Sequence, residues 1–179
     1  MFHLKEEDMI SILYPEGDYE AADIALKAQS LSYSSNTNIY IVPKHYGRNE
    51  EAIYKNLGKA KLAIFIMYEN GKIDANTIKE LEYLTSKDVK IYSIIPEPRH
   101  NISRQKMRKQ PGFSILDKTE TITYPSTDKT LATKKMHELT SKLIANQNTL
   151  SRNKDVIAGV TLVMLIVLLL SSIGQPSKT

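Results

Sequence analysis

Eighteen consecutive residues without a charge, 156–173 (VIAGVTLVMLIVLLLSSI), divide this chain into two parts suited to different solvents. As a helix the run spans about 27 Å, close to the thickness of a bilayer's hydrocarbon core. Its least apolar members are Thr161, Ser171 and Ser172, and a helix returns such small hydroxyls to its own carbonyls. A helix on the surface of a soluble domain keeps a polar face over five turns, and this run has none. It predicts a single transmembrane helix over 156–173, preceded by a linker at 149–155 and followed by a short tail at 174–179. Lys134, Lys135, Lys142, Arg152 and Lys154 precede the run, and only Lys178 follows it. The positive-inside rule then places residues 1–148 on the cytoplasmic side, as the domain of a single-pass protein of the cell inner membrane. The helix carries no full G-x-x-x-G, so self-association through it is not signalled.

The part before the run has the makings of a packed domain. Charged residues are 25% and hydrophobic residues 41% of the chain, as in ordinary globular proteins. There is no cysteine, which excludes disulfides and zinc–thiolate sites. His3, His45, His100 and His137 show no metal-ligand spacing. The net charge of +4 is too mild and too dispersed to argue for direct nucleic-acid binding.

Apolar runs and helical patterns alternate through this part. Residues 9–14 (MISILY) read as a strand ended by Pro15 and Gly17, and Asp18 is placed to cap a helix over 19–31 rich in alanine. A second strand, 38–42, stops at Pro43, and Asn49 caps a short helix through Leu57. The run 62–67 (LAIFIM) is apolar on both faces, as in a buried parallel sheet. Ile78, Leu81 and Leu84 give a helix over 75–86, and 89–95 is a fourth strand ended by Pro96. Residues 99–120 read as irregular and polar, 120–124 as a short fifth strand. A last helix from Ser126 or Thr127 carries Leu131, Met136, Leu139, Leu143 and Ile144. Alternation of this kind predicts an α/β fold with a flavodoxin-like parallel sheet of about five strands, order 2-1-3-4-5, and helices on both faces.

In such a sheet ligands bind beyond the carboxyl ends of the strands, near the switch point beside strand one. That edge holds residues 14–18, 43–48, 68–74 and 96–108. Tyr14, Glu16, Gly17, Asp18, Tyr46, Arg48 and Tyr68 are therefore candidate ligand-binding residues. Arg99, Arg104, Lys106 and Arg108 join them as a basic stretch able to meet phosphates or lipid headgroups. The segment YPEGDYE after strand one is neither a P-loop nor G-x-G-x-x-G. Glu80 and Glu82 lie early in the helix after strand three. Two residues apart on a helix, they diverge by about 200°, so only one can face the crevice.

Two segments, SILYPEGDYEAADIALKAQSL and AIYKNLGKAKLAIFIMYENGKIDANTIKELEYLTSKDVKIYSIIP, resemble those of TIR-like domains, within the wider group that includes nucleoside 2-deoxyribosyltransferase-like proteins. The likeness covers roughly residues 9–148. It implies nucleotide recognition or N-glycosidic chemistry, and it puts Glu80 at the position of the carboxylate that assists departure of the base. The aromatic residue and serine that often precede this glutamate are replaced here by Asn76, Thr77 and Ile78. Small α/β domains fused to membrane helices also resemble prokaryotic antiviral effectors, CRISPR-linked ones included. CARF-type receptors of cyclic oligoadenylates share the same plan. Three functions follow as expectations. The first is a membrane-anchored receptor-effector that binds a cyclic oligonucleotide or NAD-derived signal as a homo-oligomer and rearranges its membrane helices. The others are an NAD glycohydrolase using Glu80, and a scaffold that recruits cytosolic partners to the bilayer.

Overall fold

The structure, a computed structural model, describes residues 9–32, 38–67, 72–96 and 112–124. The apolar run 156–173, the last helix expected from Ser126 onward, Tyr68 and the basic residues Arg99, Arg104, Lys106 and Arg108 lie outside these. No helix among the described residues is long and apolar enough to cross a membrane.

Five strands form one parallel sheet: β1 (Met9–Leu13), β2 (Asn38–Ile41), β3 (Ala60–Ile66), β4 (Lys90–Pro96) and β5 (Glu120–Tyr124). Their spatial order is β2-β1-β3-β4-β5, all pairs parallel, as the alternation of elements predicts. Among the described residues three α-helices connect them: α1 (Tyr19–Ser32), α2 (Glu50–Leu57) and α3 (Ala75–Ser86). The segment between β4 and β5 departs from its irregular reading over Phe113–Lys118, a 3-10 helix. Its Phe113, Ile115 and Leu116 are buried. Three apolar residues within four give no helical period long enough to recognise.

The sheet is apolar on both faces because both are covered. On one, Ile10, Ile12, Ile39, Ile64, Ile66 and Ile94 pack against Ala21, Ile24, Ala25 and Ala28 of α1. On the other, Leu13, Ala63, Phe65 and Ile95 meet Ile53 and Leu57 of α2, Leu81 and Leu84 of α3 and Leu116 of the 3-10 helix. Each large aliphatic side chain so buried contributes roughly 1.5–3 kcal/mol. The small residues of α1 let it lie close on the sheet. A register shift between Met9 and Ile10, which pair with Ala60 and Leu62, leaves Lys61 without a partner in β1. Its side chain is exposed while its neighbours in β3 are buried.

Candidate functional site at the carboxyl edge of the sheet

All strands run the same way, so the segments after β1, β2 and β3 leave from one edge. After β1, the chain turns at residues 15–18, where Asp18 N–H donates to the Pro15 carbonyl at 3.2 Å and Gly17 takes φ +84°. Asp18 Oδ1 accepts from Ala21 N–H at 3.0 Å, opening α1. After β2, residues 43–49 lead to Asn49, whose side chain caps α2 through Ala52 N–H. After β3, Asp74 caps α3 through Thr77 N–H at 2.9 Å. Three helix N-termini therefore open at the edge that topology marks for ligands.

α3 directs Thr77 and Glu80, three residues apart, onto the face it buries, and both are wholly buried. Glu82 is exposed, as the divergence of the two glutamates requires. The carboxylate of Glu80 is filled on both oxygens. Lys44 Nζ lies 2.6 Å from Oε2, and Arg48 Nη1 lies 2.6 Å from Oε1. Both cations are themselves buried, with side chains 5% and 7% exposed. Lys44 also donates to Thr77 Oγ1 at 2.6 Å. Thr77 Oγ1 donates a hydrogen bond to Asp74 Oδ2 at 2.6 Å, with the Tyr14 carbonyl 3.3 Å away. The same Asp74 oxygen accepts from Glu16 N–H at 2.8 Å. Arg48 Nη1 further donates to the Pro43 carbonyl and Arg48 Nε to Glu50. Arg48 Nη2, 2.9 Å from the Glu50 carboxylate, is buried and makes no hydrogen bond. One network thus joins the segment after β1, the segment after β2 and the first turns of α3.

The electrostatics follow from burial. Desolvation holds the Lys44 ammonium below its ordinary value, and Glu80 restores only part of that shift. Desolvation would raise the Asp74 carboxyl, but hydrogen bonds from the Thr77 hydroxyl, Glu16 N–H and Thr77 N–H, with the Lys44 charge, bring it below its ordinary value. The Tyr14 hydroxyl is pushed up by burial and then by the nearby Glu80 charge. Burial and Glu80 also raise Tyr40, against an opposing hydrogen bond from Asn56.

Of the residues singled out in the sequence, Arg48 and Glu80 touch directly, and Tyr14 and Glu16 join through their backbone. Gly17 and Asp18 shape the turn. Tyr46 stands on the same segment as Lys44 and Arg48 with its ring fully exposed. Lys44, Thr77 and Asp74 complete the network, and none carried a motif. Their signal was indirect: Thr77, Glu80, Leu81 and Leu84 share one helical stripe, so a hydroxyl and a carboxylate occupy positions an apolar face would fill.

Chemically the arrangement is a clasp. A carboxylate with a cation on each oxygen must lose one of them before it can act as base or nucleophile. Lys44 and Arg48 face three carboxylates, those of Glu80, Asp74 and Glu50, so the network holds no spare positive charge for a ligand. The fold and this network define the class: a doubly wound α/β domain with a prearranged buried polar network at its switch point. No protein-family model matches the chain, and no curated protein matches it.

Proposed function

We propose that the chain is a membrane-anchored receptor whose cytosolic α/β domain binds a nucleotide-derived signal and, as a homo-oligomer, passes the binding event to its membrane helices. The observation that carries this reading is the Lys44–Glu80–Arg48 clasp. Buried ion pairs give a fold little that apolar packing would not, because desolvation offsets most of their attraction. A buried network lying at the ligand edge of a doubly wound sheet is better accounted for by a site that must keep its shape.

The rim agrees with a nucleotide in two respects. Tyr46 presents a bare ring for a base to stack on. Asp74, half-buried beside the turn after β1, adds a carboxylate suited to ribose hydroxyls. The basic stretch 99–109 lies in sequence between β4 and the 3-10 helix; on charge alone it is the complement for phosphates. The run 156–173 supplies the anchor, and a receptor of this build belongs to signal-triggered defence at the inner membrane. Occupancy of both Glu80 oxygens favours binding over glycosidic cleavage.

Calorimetric titration of the detergent-solubilised chain with cyclic oligoadenylates, cyclic ADP-ribose isomers and NAD tests the proposal. Saturable binding of one of them, weakened at least tenfold in Tyr46→Ala, is the expected result. Absence of binding by all three classes sinks the receptor. Release of nicotinamide from NAD, abolished in Glu80→Gln, would replace it with the glycohydrolase.

A further inference from the structure

The outward face of α1 sets two large exposed hydrophobic side chains among few charges. The three large hydrophobic side chains exposed among the described residues are Tyr19 (81%), Leu26 (56%) and Tyr46 (103%). Two of them, Tyr19 and Leu26, are seven residues apart on α1 and so lie one above the other on a single stripe. Only three of the helix's fourteen residues are charged: Glu20, Asp23 and Lys27. All three fall on one flank of that stripe, and Asp23 and Lys27 already pair across one turn. On the other flank lies Ala22, small enough for a second helix to approach closely.

This pattern is complementary to itself when reversed. Two antiparallel copies of α1 related by a two-fold axis between Ala22 and Asp23 put Tyr19 of each against Leu26 of the other. The same register brings Glu20 within a turn of the other copy's Lys27. In an antiparallel pair like flanks face each other, so all the charges meet on one side and the small residues on the other. The two Asp23 carboxylates near the axis each keep their own Lys27 as counterion. A parallel pairing would put the charged flanks on opposite sides of the interface, out of reach of each other. A two-fold axis also sends the two C-terminal segments the same way along it, as two copies tethered to one bilayer require.

We propose that the outward face of α1 is a homodimer interface, with a second copy of this chain docked antiparallel about an axis between Ala22 and Asp23. The proposal rests on the oligomeric part of the receptor reading and needs no ligand, so its failure leaves ligand binding untouched. A chain without cysteine gives a clean readout. Asp23→Cys, beside the axis, should form a disulfide-linked dimer under mild oxidation of the full-length protein in its membrane. Glu51→Cys, exposed on α2 across the sheet, serves as the control and should remain monomeric. Adding Lys27→Glu to Asp23→Cys should reduce the cross-link several-fold, and adding Glu20→Lys as well should restore it. Leu26→Lys should abolish it while the domain stays folded, since the side chain is exposed in the single chain. Equal cross-linking at residues 23 and 51, no cross-link at 23, or indifference to both Leu26→Lys and the charge swap would overturn the proposal.

Discussion

Glu80 is the residue on which the most depends. It is fully buried, and truncating it leaves Lys44 and Arg48 facing each other in a low-dielectric interior without their shared counterion. Breaking a buried pair in this way costs about 3–5 kcal/mol, well above the worth of an exposed ion pair. Glu80→Ala is therefore expected to lower the stability of the domain by that amount in urea denaturation, whereas Lys27→Ala, at an exposed pair, changes it by less than about 1 kcal/mol. The opposite sign is expected at Ser11. Its hydroxyl sits in the middle of β1, wholly buried and without a hydrogen-bond partner. Its backbone stays in the ladder whatever the side chain, so Ser11→Ala removes a desolvated group and should stabilise the domain by up to about 1 kcal/mol. Asp74 sets the acid limb. Its carboxyl titrates below the ordinary 3.8 in the folded domain, so its contribution is fully present above about pH 4 and is lost as pH falls through the lower folded value. Asp74→Asn keeps a competent cap and should flatten the decline of the urea midpoint below about pH 4. An unchanged decline would assign the acid limb to other carboxylates.

The elements themselves were legible where period and punctuation agreed. Asn49 before an amphipathic octamer gave α2 with its cap, and the spacing of Ile78, Leu81 and Leu84 gave α3, whose cap at Asp74 was not read. The doubly apolar run of β3 announced a strand covered on both sides, which in a chain of alternating elements leaves few topologies. The 3-10 helix escaped because it has too few residues to show a period. The site was legible as a place and not as a set of contacts. Topology put the ligand edge where the network lies, but Lys44 in PKHYGRN reads as any solvated loop lysine. What draws it inward is a carboxylate thirty-six residues away, a pairing no local pattern encodes. Gly112 shows the same limit. Its φ of +91° and its fit against Ile78, whose Cδ1 would stand 2.5 Å from an added Cβ, are consequences of tertiary packing. Gly17 and Gly47 share the positive φ but have open space around them. Gly112→Ala should therefore cost more than either Gly17→Ala or Gly47→Ala, roughly 2–4 kcal/mol against 1–2, because a steric clash adds to the backbone strain. Thermal melting of the three variants checks the order.

At the scale of the whole molecule, the receptor reading requires two solvents to be occupied at once, and that can be tested apart from any ligand. The α/β domain buries its apolar residues on its own sheet, so nothing in its core calls for lipid. The run 156–173 has no charge with which to face water, and transferring some eighteen apolar residues into hydrocarbon outweighs the few hydroxyls carried with them. The full chain is accordingly expected to sediment with membranes and to resist extraction by alkaline carbonate, while a chain ending at residue 148 stays in the supernatant. The flanking lysines and arginines add a direction. Protease applied to the outside of spheroplasts should leave residues 1–148 intact, and applied to inverted vesicles should digest the segment that precedes the helix. Recovery of the full chain in the aqueous fraction would remove the anchor, and digestion from the outside would reverse the orientation. A soluble chain could still bind a nucleotide at the carboxyl edge, but it would have no membrane helix to move.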